Sequence, residues 1–285
     1  MKNVLVIGAS SGVGAEISNQ LSINDKCHVI GASRQAENRT YSERLTWRYY
    51  DASKTNNLNE LFDGIDVAFF MSSPGIVQQN KVLIPLIEAA KTAKLEKVVM
   101  MTAIGVDVSD EIPFRQAELA LENSGIPYAI IRPNWFHQNF STYWLHGIVT
   151  QKKLFIPAGQ GKTSFIDVRD IAACAVALLT NDQTDNRAFV LTGPESLSYT
   201  DAAEQLSTAT QQTITYEDID PETFKQGLLT ASIAEDFADF LVGILGFVKA
   251  GYVAEVSNDV EKLLGRPAIP LRQYLDDAKE TWKTA

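Results

Sequence analysis

Cysteine is nearly absent from this chain of 285 residues: only Cys27 and Cys174 occur, each inside an apolar run. That argues against a disulfide framework or a cysteine-based metal site, and two buried thiols are the expectation. No metal site is expected elsewhere. Basic residues are also scarce. Twenty-five Lys and Arg face 35 Asp and Glu, for a net charge of -10. Nucleic-acid backbones are bound by clustered Lys and Arg, so no nucleic-acid partner is expected. A local basic spot for one small phosphate remains compatible. No uninterrupted apolar run is long enough to span a bilayer. The most apolar late stretch, FADFLVGILGFVKAGYVAEV, carries Asp239 and Lys249 within it. The chain enters the strand-like VLVIG without the pattern of a signal peptide. A soluble, cytoplasmic protein with no membrane partner is expected. Repeats and low-complexity linkers are lacking as well.

What is present is a 45% hydrophobic content, enough for a sizeable core. In the first half, short β-branched runs alternate with helical patterns. Strands are expected at 4–7, 28–32, 47–50, 67–71, 98–102 and 128–131. Helices are expected at 14–21, 58–62, 78–93 and 114–122. The strands are apolar on consecutive residues, as in strands buried on both faces. Strands separated by helices imply βαβ crossovers and a parallel sheet. After Pro133 the regularity fades. Residues 135–149 read as a helix, 166–179 as a strand end running into a helix, and 188–191 as a strand. From Ser198 onward the pattern is mostly helical, with a strand at 213–216. The fold class is therefore α/β: a Rossmann-type doubly wound parallel sheet with a smaller, mostly helical C-terminal lobe. The expected division is a nucleotide-binding lobe over 1–150 and a substrate or capping lobe over 151–285. Some segments are expected to return to the first lobe.

The first strand runs into GASSGVG, which places Gly8, Gly12 and Gly14 between a strand and a helix. Such a turn lets the backbone approach a pyrophosphate seated on the helix N-terminus. Gly8, Ser10, Ser11, Gly12, Val13 and Gly14 are its candidate contacts. About 20 residues further on, an acidic residue would mark NAD(H) and an arginine NADP(H). Strand two ends in Ser33-Arg34, so NADP(H) is expected over NAD(H), with Arg34 on the 2′-phosphate and Ser33 donating to it. Asp51 and Ala52 at the end of strand three are candidates for the adenine, against the alternative of a helix cap. Met71, Ser72 and Ser73 end strand four, where open α/β sheets bind ligands, and should meet the cofactor ribose.

These stretches, with VVMMTAIG, LENSGIPYAIIRPNWFHQNF, FIDVRDIAACAVALL and LTGPESLSYTDAAEQL, resemble the atypical short-chain dehydrogenase/reductase superfamily. Within it the chain resembles the NmrA-like group of quinone oxidoreductases, triphenylmethane-dye reductases, ergot-alkaloid reductases and redox-sensing regulators. The glycine turn departs from that group's Gly-x-x-Gly-x-x-Gly, since Ser11 stands at the second glycine. The resemblance implies that Pro133 and the backbone after it contact the nicotinamide. It also places the superfamily's catalytic Tyr-x-x-x-Lys on Phe114 and Glu118, neither of which exchanges a proton as that pair does. Thr102 falls near the usual serine and is a candidate for hydrogen-bonding a substrate or the nicotinamide ribose.

Two functions follow. One is an NADP(H)-dependent reductase of a small aromatic, quinoid or imine acceptor that does without the Tyr and Lys. The other is a non-catalytic NADP(H)-binding redox sensor with a regulatory protein partner. Phe114, Trp135, Phe136 and Phe140 are candidates to line an aromatic substrate pocket. His137 is the candidate for proton transfer, against the alternative of an ordinary helix-face histidine. Asp167, Arg169 and Asp170 read as a helix cap and a charged pair. Substrate identity, stereochemistry and oligomeric state are not legible.

Overall fold

A computed structural model describes residues 1–10, 12–36, 43–54, 57–181 and 186–283. Along the chain come β1 (Lys2–Ile7), α1 (Gly12–Ser22), β2 (Cys27–Ser33), β3 (Leu45–Tyr49), α2 (Leu58–Phe62), β4 (Val67–Phe70) and α3 (Asn80–Ala93). Then follow β5 (Lys97–Met101), α4 (Pro113–Glu122), β6 (Tyr128–Pro133), β7 (Lys153–Phe155), β8 (Lys162–Thr163), α5 (Val168–Thr180) and β9 (Arg187–Leu191). The remainder holds β10 (Leu197–Ser198), α6 (Tyr199–Thr210), β11 (Thr215–Glu217), α7 (Pro221–Thr230), α8 (Glu235–Lys249), α9 (Asp259–Leu264) and α10 (Leu271–Asp277).

The chain divides into two compact units. The first comprises Met1–Pro133, Val168–Val190 and Lys262–Gly265. The sequence pattern had set the division at residue 150. The first unit's sheet runs in the order β3-β2-β1-β4-β5-β6-β9. Every neighbouring pair from β3 to β6 is parallel. This is the Rossmann-type sheet that the βαβ alternation implies. Strand order reverses between β1 and β4, and ligands of open α/β sheets bind at such a switch point, beyond the carboxyl ends of the strands.

The core explains the composition of these strands. β4 and β5 are buried at every residue, so each carries apolar side chains on both faces apart from Lys97, whose Nζ donates to the Leu178 carbonyl at 3.0 Å. Leu5, Ile7, Ala68, Phe70, Val98 and Met100 pack on Leu83, Leu86 and Ile87 of α3 and on Ala117 and Leu121 of α4. Phe62 meets Phe70 edge to face, with ring centres 5.9 Å apart. Helix starts follow local chemistry. Pro113 opens α4 with its φ already fixed. The Asn57 side chain accepts from the Glu60 amide to cap α2.

The second unit comprises Asn134–Asp167, Leu191–Glu261 and Arg266–Ala285. Its strands pair two by two, β8 antiparallel to β10 and β7 parallel to β11. Helices pack in pairs, α6 with α10 and α7 with α8. Ser198 and Asp201 form a reciprocal capping box at the start of α6. Residues 135–149 do not form the single helix expected. The Trp135 carbonyl accepts from the Ile166 amide, and the His137 amide donates to the Ile166 carbonyl. That pairing holds Phe136 extended, with φ -86° and ψ 143°. The chain then makes a short 3-10 turn at His137–Ser141 and a wider π turn at Gly147–Gln151. Tertiary pairing has overridden helical propensity.

Candidate active site

The turn after β1 is shaped by close approach. A Cβ on Gly14 would lie 2.2 Å from the Gly8 carbonyl oxygen, so only glycine lets α1 pass so near β1. Gly8 (φ 78°) and Gly12 (φ 55°) both adopt left-handed backbone. A Cβ on Gly8 would meet the Met71 sulfur at 2.8 Å, so the ends of β1 and β4 are in contact at the switch point. A Cβ on Gly12 would meet nothing within 4 Å, which leaves the start of α1 open above it. Val13 turns its side chain into the core, and Ser10 is half-buried. Ser11 lies outside the described residues.

Ser33 ends β2, and its hydroxyl oxygen accepts from the Gln35 amide at 3.1 Å, which leaves its proton free to donate. Arg34 is exposed and makes no hydrogen bond or ion pair among the described residues. Asp51 is buried, and its Oδ1 accepts from the Ser53 amide at 3.0 Å and the Ser53 hydroxyl at 2.7 Å. Those bonds hold its carboxyl below the usual range. They stabilise a turn through Ala52 rather than a helix start. Ser72 is half-buried, Ser73 is exposed, and the Ser73 carbonyl accepts from the Ile76 amide. Pro133 ends β6, with its carbonyl accepting from the Ile104 amide at 3.1 Å.

Glu118 sits at the centre of a charged network that the sequence reading did not foresee. It projects from α4 and is 0% exposed. Its Oε1 accepts from Arg132 Nε at 2.9 Å, and its Oε2 accepts from Arg132 Nη2 at 2.7 Å. Arg115 Nη1 adds a bond at 3.0 Å to Oε2, and Thr102 Oγ1 donates to Oε1 at 2.7 Å. Arg132 Nη1 also pairs with Asp107. Burial works against the Arg132 charge, but the bonds from Glu118 and then Asp107 overcome it and raise its pKa. Arg115 is raised too, chiefly by Glu122. Thr102 is therefore no free hydroxyl: it is 4% exposed and its proton is committed to Glu118. Phe114, the other residue singled out on α4, is partly buried and packs against the sheet core.

In the second unit, Phe140 is 0% exposed. Its ring lies edge-on to Trp144 at 4.8 Å and to Phe165 at 5.3 Å, and Tyr199 completes the cluster. Phe140 is a core residue, and the expectation that it lines a pocket is corrected. Trp135 stacks on Trp144 at 6.1 Å and remains half-buried, as does Phe136. His137 is no helix-face histidine. It is 0% exposed, with Nδ1 3.6 Å from Asp167 Oδ2 and its ring 5.5 Å from that of Tyr274. Asp167 also accepts from Gln138 Nε2 at 3.1 Å, so it is a buried partner rather than only a helix start.

A family model described as NAD(P)H-binding matches residues 8–182, from the first glycine of the turn to the end of α5. The chain belongs to this NAD(P)H-binding family. It is 30% identical over 278 residues to an NAD(P)H azoreductase of Xenophilus azovorans, covering 95% of this chain and 96% of that protein. It is 25% identical over 284 residues to the Prestalk A differentiation protein A of Dictyostelium discoideum, covering 98% and 92%. Its fold matches the triphenylmethane reductase of Citrobacter sp. complexed with NADP(H), with a TM-score of 0.84 and 20% identity over 98% of this chain and 100% of that one. These relatives place the chain in the atypical short-chain dehydrogenase/reductase, NmrA-like group. The glycine turn fits an NAD(P)H-binding member. The Gly8–Gly14 approach and the open space above Gly12 give the backbone cradle that a dinucleotide pyrophosphate requires. Among the described residues no helix is long and apolar enough to cross a membrane.

Proposed function

We propose that this NAD(P)H-binding protein is an NADPH-dependent reductase of small aromatic acceptors of the azo, quinoid or imine type. The observation that carries the reading is the state of Glu118. At the position where the resemblance sets the lysine of a Tyr-x-x-x-Lys pair stands a fully buried carboxylate, accepting from Arg132, Arg115 and Thr102. Phe114, where the resemblance sets the tyrosine, packs against the core. α4 itself carries no Tyr, Lys, His or Cys. Acceptors that delocalise the incoming charge, or are neutralised by it, do not need a proton donor there. Their reduction depends on positioning and exclusion of water. The similarity to an azoreductase brings azo compounds into this class.

In this reading the backbone from Gly8 to Gly14 holds the pyrophosphate. Arg34 and Ser33 hold the 2′-phosphate, Asp51 and Ala52 flank the adenine, and Met71, Ser72 and Ser73 meet the ribose. Thr102 and Pro133 lie at the nicotinamide, with Phe114 as an apolar wall. His137, whose Nδ1 lies 3.6 Å from Asp167 Oδ2, is too enclosed to meet an acceptor directly. The cofactor supplies a hydride when bound.

The test is oxidation of NADPH, followed by absorbance, against azo dyes, triphenylmethane dyes, quinones and imines. Turnover on at least one class supports the reading. Tight binding of NADP(H) with no turnover on any class overturns it in favour of a redox-sensing binding protein.

A further inference from the structure

Six residues of this chain carry sulfur, two cysteines and four methionines. Cys27 and Cys174 are buried, and burial raises the Cys27 thiol above its ordinary pKa, so the reactive thiolate is scarce. Met100 and Met101 are buried in β5. That leaves Met1, exposed at the start of the chain, and Met71, half-buried directly after β4. Met71 rests on bare backbone. A Cβ on Gly8 would lie 2.8 Å from its sulfur and 3.0 Å from its Cγ. A carbon atom there would already overlap the thioether, so no oxygen fits between Met71 and Gly8. Gly8 is itself half-buried, holds a left-handed φ of 78°, and begins the turn whose backbone forms the pyrophosphate cradle.

We propose that Met71 is a sulfoxidation site whose modification closes the cofactor turn. The oxidant is hydrogen peroxide. The thioether sulfur attacks one peroxide oxygen and the O–O bond breaks. That oxygen stays on sulfur, and its proton moves to the departing hydroxide, which leaves as water. The sulfur loses two electrons and the peroxide gains them. The product is polar and bulkier than the thioether. With Gly8 against the sulfur, the new oxygen either pushes the turn aside or projects into the space a dinucleotide would take. Both outcomes disturb the backbone contacts of the pyrophosphate. A bound dinucleotide covers Met71 in turn and slows its oxidation. Methionine sulfoxide is enzymatically reducible, so the block is reversible. The inference rests on the proposed reading that Met71 and the turn from Gly8 to Gly14 hold the cofactor, and it does not require turnover.

The full chain is treated with hydrogen peroxide, with and without saturating NADP⁺, and the peroxide is then removed. Peptide mass spectrometry locates the added oxygen, and fluorescence titration with NADPH reports binding. Oxygen is expected on Met71 and Met1, and not on Met100 or Met101. NADP⁺ should slow the reaction at Met71 and leave Met1 unaffected. The oxidised protein should bind NADPH at least about tenfold more weakly, the loss of one hydrogen bond to a charged group. A methionine sulfoxide reductase should restore the binding. Met71→Leu keeps the apolar bulk without the sulfur. Whatever affinity that variant starts from, peroxide should leave it unchanged. Four results overturn the inference alone: Met71 left unoxidised, no protection by NADP⁺, NADPH binding that survives the sulfoxide, or a loss in Met71→Leu equal to that of the wild type. Untreated protein that fails to bind NADPH overturns the cofactor reading itself, and the inference with it.

Discussion

Arg132 Nε and Nη2 donate in parallel to the two oxygens of Glu118, at 2.9 Å and 2.7 Å, in a place that solvent does not reach. The two residues come from a strand and a helix, so the pair fixes α4 against β6. Removing Glu118 leaves the buried Arg132 with only its pair to Asp107. Glu118→Ala should lower stability by about 3–5 kcal/mol. Glu118→Gln, which keeps an acceptor for Arg132, should cost less. Urea unfolding followed by circular dichroism measures both.

The glycine turn allows a sharper contrast. Gly14→Ala places a methyl group 2.2 Å from the Gly8 carbonyl and forces α1 away from β1. Cofactor binding should be abolished. Gly12→Ala meets no atom, and its penalty comes only from the positive φ, about 1–2 kcal/mol. That variant should fold. Fluorescence titration with NADPH and thermal unfolding separate the two outcomes.

Arg34 is exposed, and its charge helps to lower the pKa of Asp51. Arg34→Ala should weaken NADPH by roughly 10–100-fold, the worth of a charge-assisted hydrogen bond, and leave NADH unchanged. Equal loss for both cofactors would remove the 2′-phosphate assignment.

Phe140 offers a check on the corrected pocket. As a core ring among Trp144 and Phe165, its replacement by alanine should cost about 3–5 kcal/mol of stability. Kinetic discrimination among acceptors should not move. Thermal denaturation together with relative kcat/KM values gives the answer.

Acid stability should depend in part on Asp201. Its bonds from the Ser198 amide and hydroxyl lower its pKa from the ordinary 3.8. A carboxyl depressed in the folded state stabilises above the unfolded value and loses that contribution as pH falls through the folded one. Asp201→Ala should therefore be less stable than wild type at neutral pH, by about 1 kcal/mol. The difference should shrink once the pH drops below 3.8. Chemical denaturation at several pH values tests this.

The sheet was legible because β4, β5 and β6 are buried on both faces and their apolar runs leave no other reading. The cofactor turn was legible because close approach admits only glycine. The region after Asn134 was not. Its conformation depends on Ile166, some thirty residues away, and no local periodicity reports such pairing. Phe140 misled for a related reason: an aromatic that fills a core and one that lines a cleft look alike in sequence. The Glu118–Arg132 pair was discoverable in principle. Arg132 stands inside the run YAIIRP, and a charge in a strand buried on both faces demands a partner. Glu118 by itself reads in the sequence only as a missing lysine, because an exposed and a buried glutamate look alike there.

Helix α5 belongs to the first unit, packs against α1 and receives on the Arg169 carbonyl a bond from Gln20 Nε2 at 3.3 Å, yet it is separated from β6 by a stretch of the second unit. During synthesis the nucleotide-binding unit therefore cannot finish when its first 133 residues emerge. The side of α1 that α5 covers stays wet until the ribosome has supplied residues 168–190. By then the first loops of the other unit are already outside. A fragment ending at Pro133 therefore lacks α5 and is an unfinished layer rather than a minimal dinucleotide-binding domain.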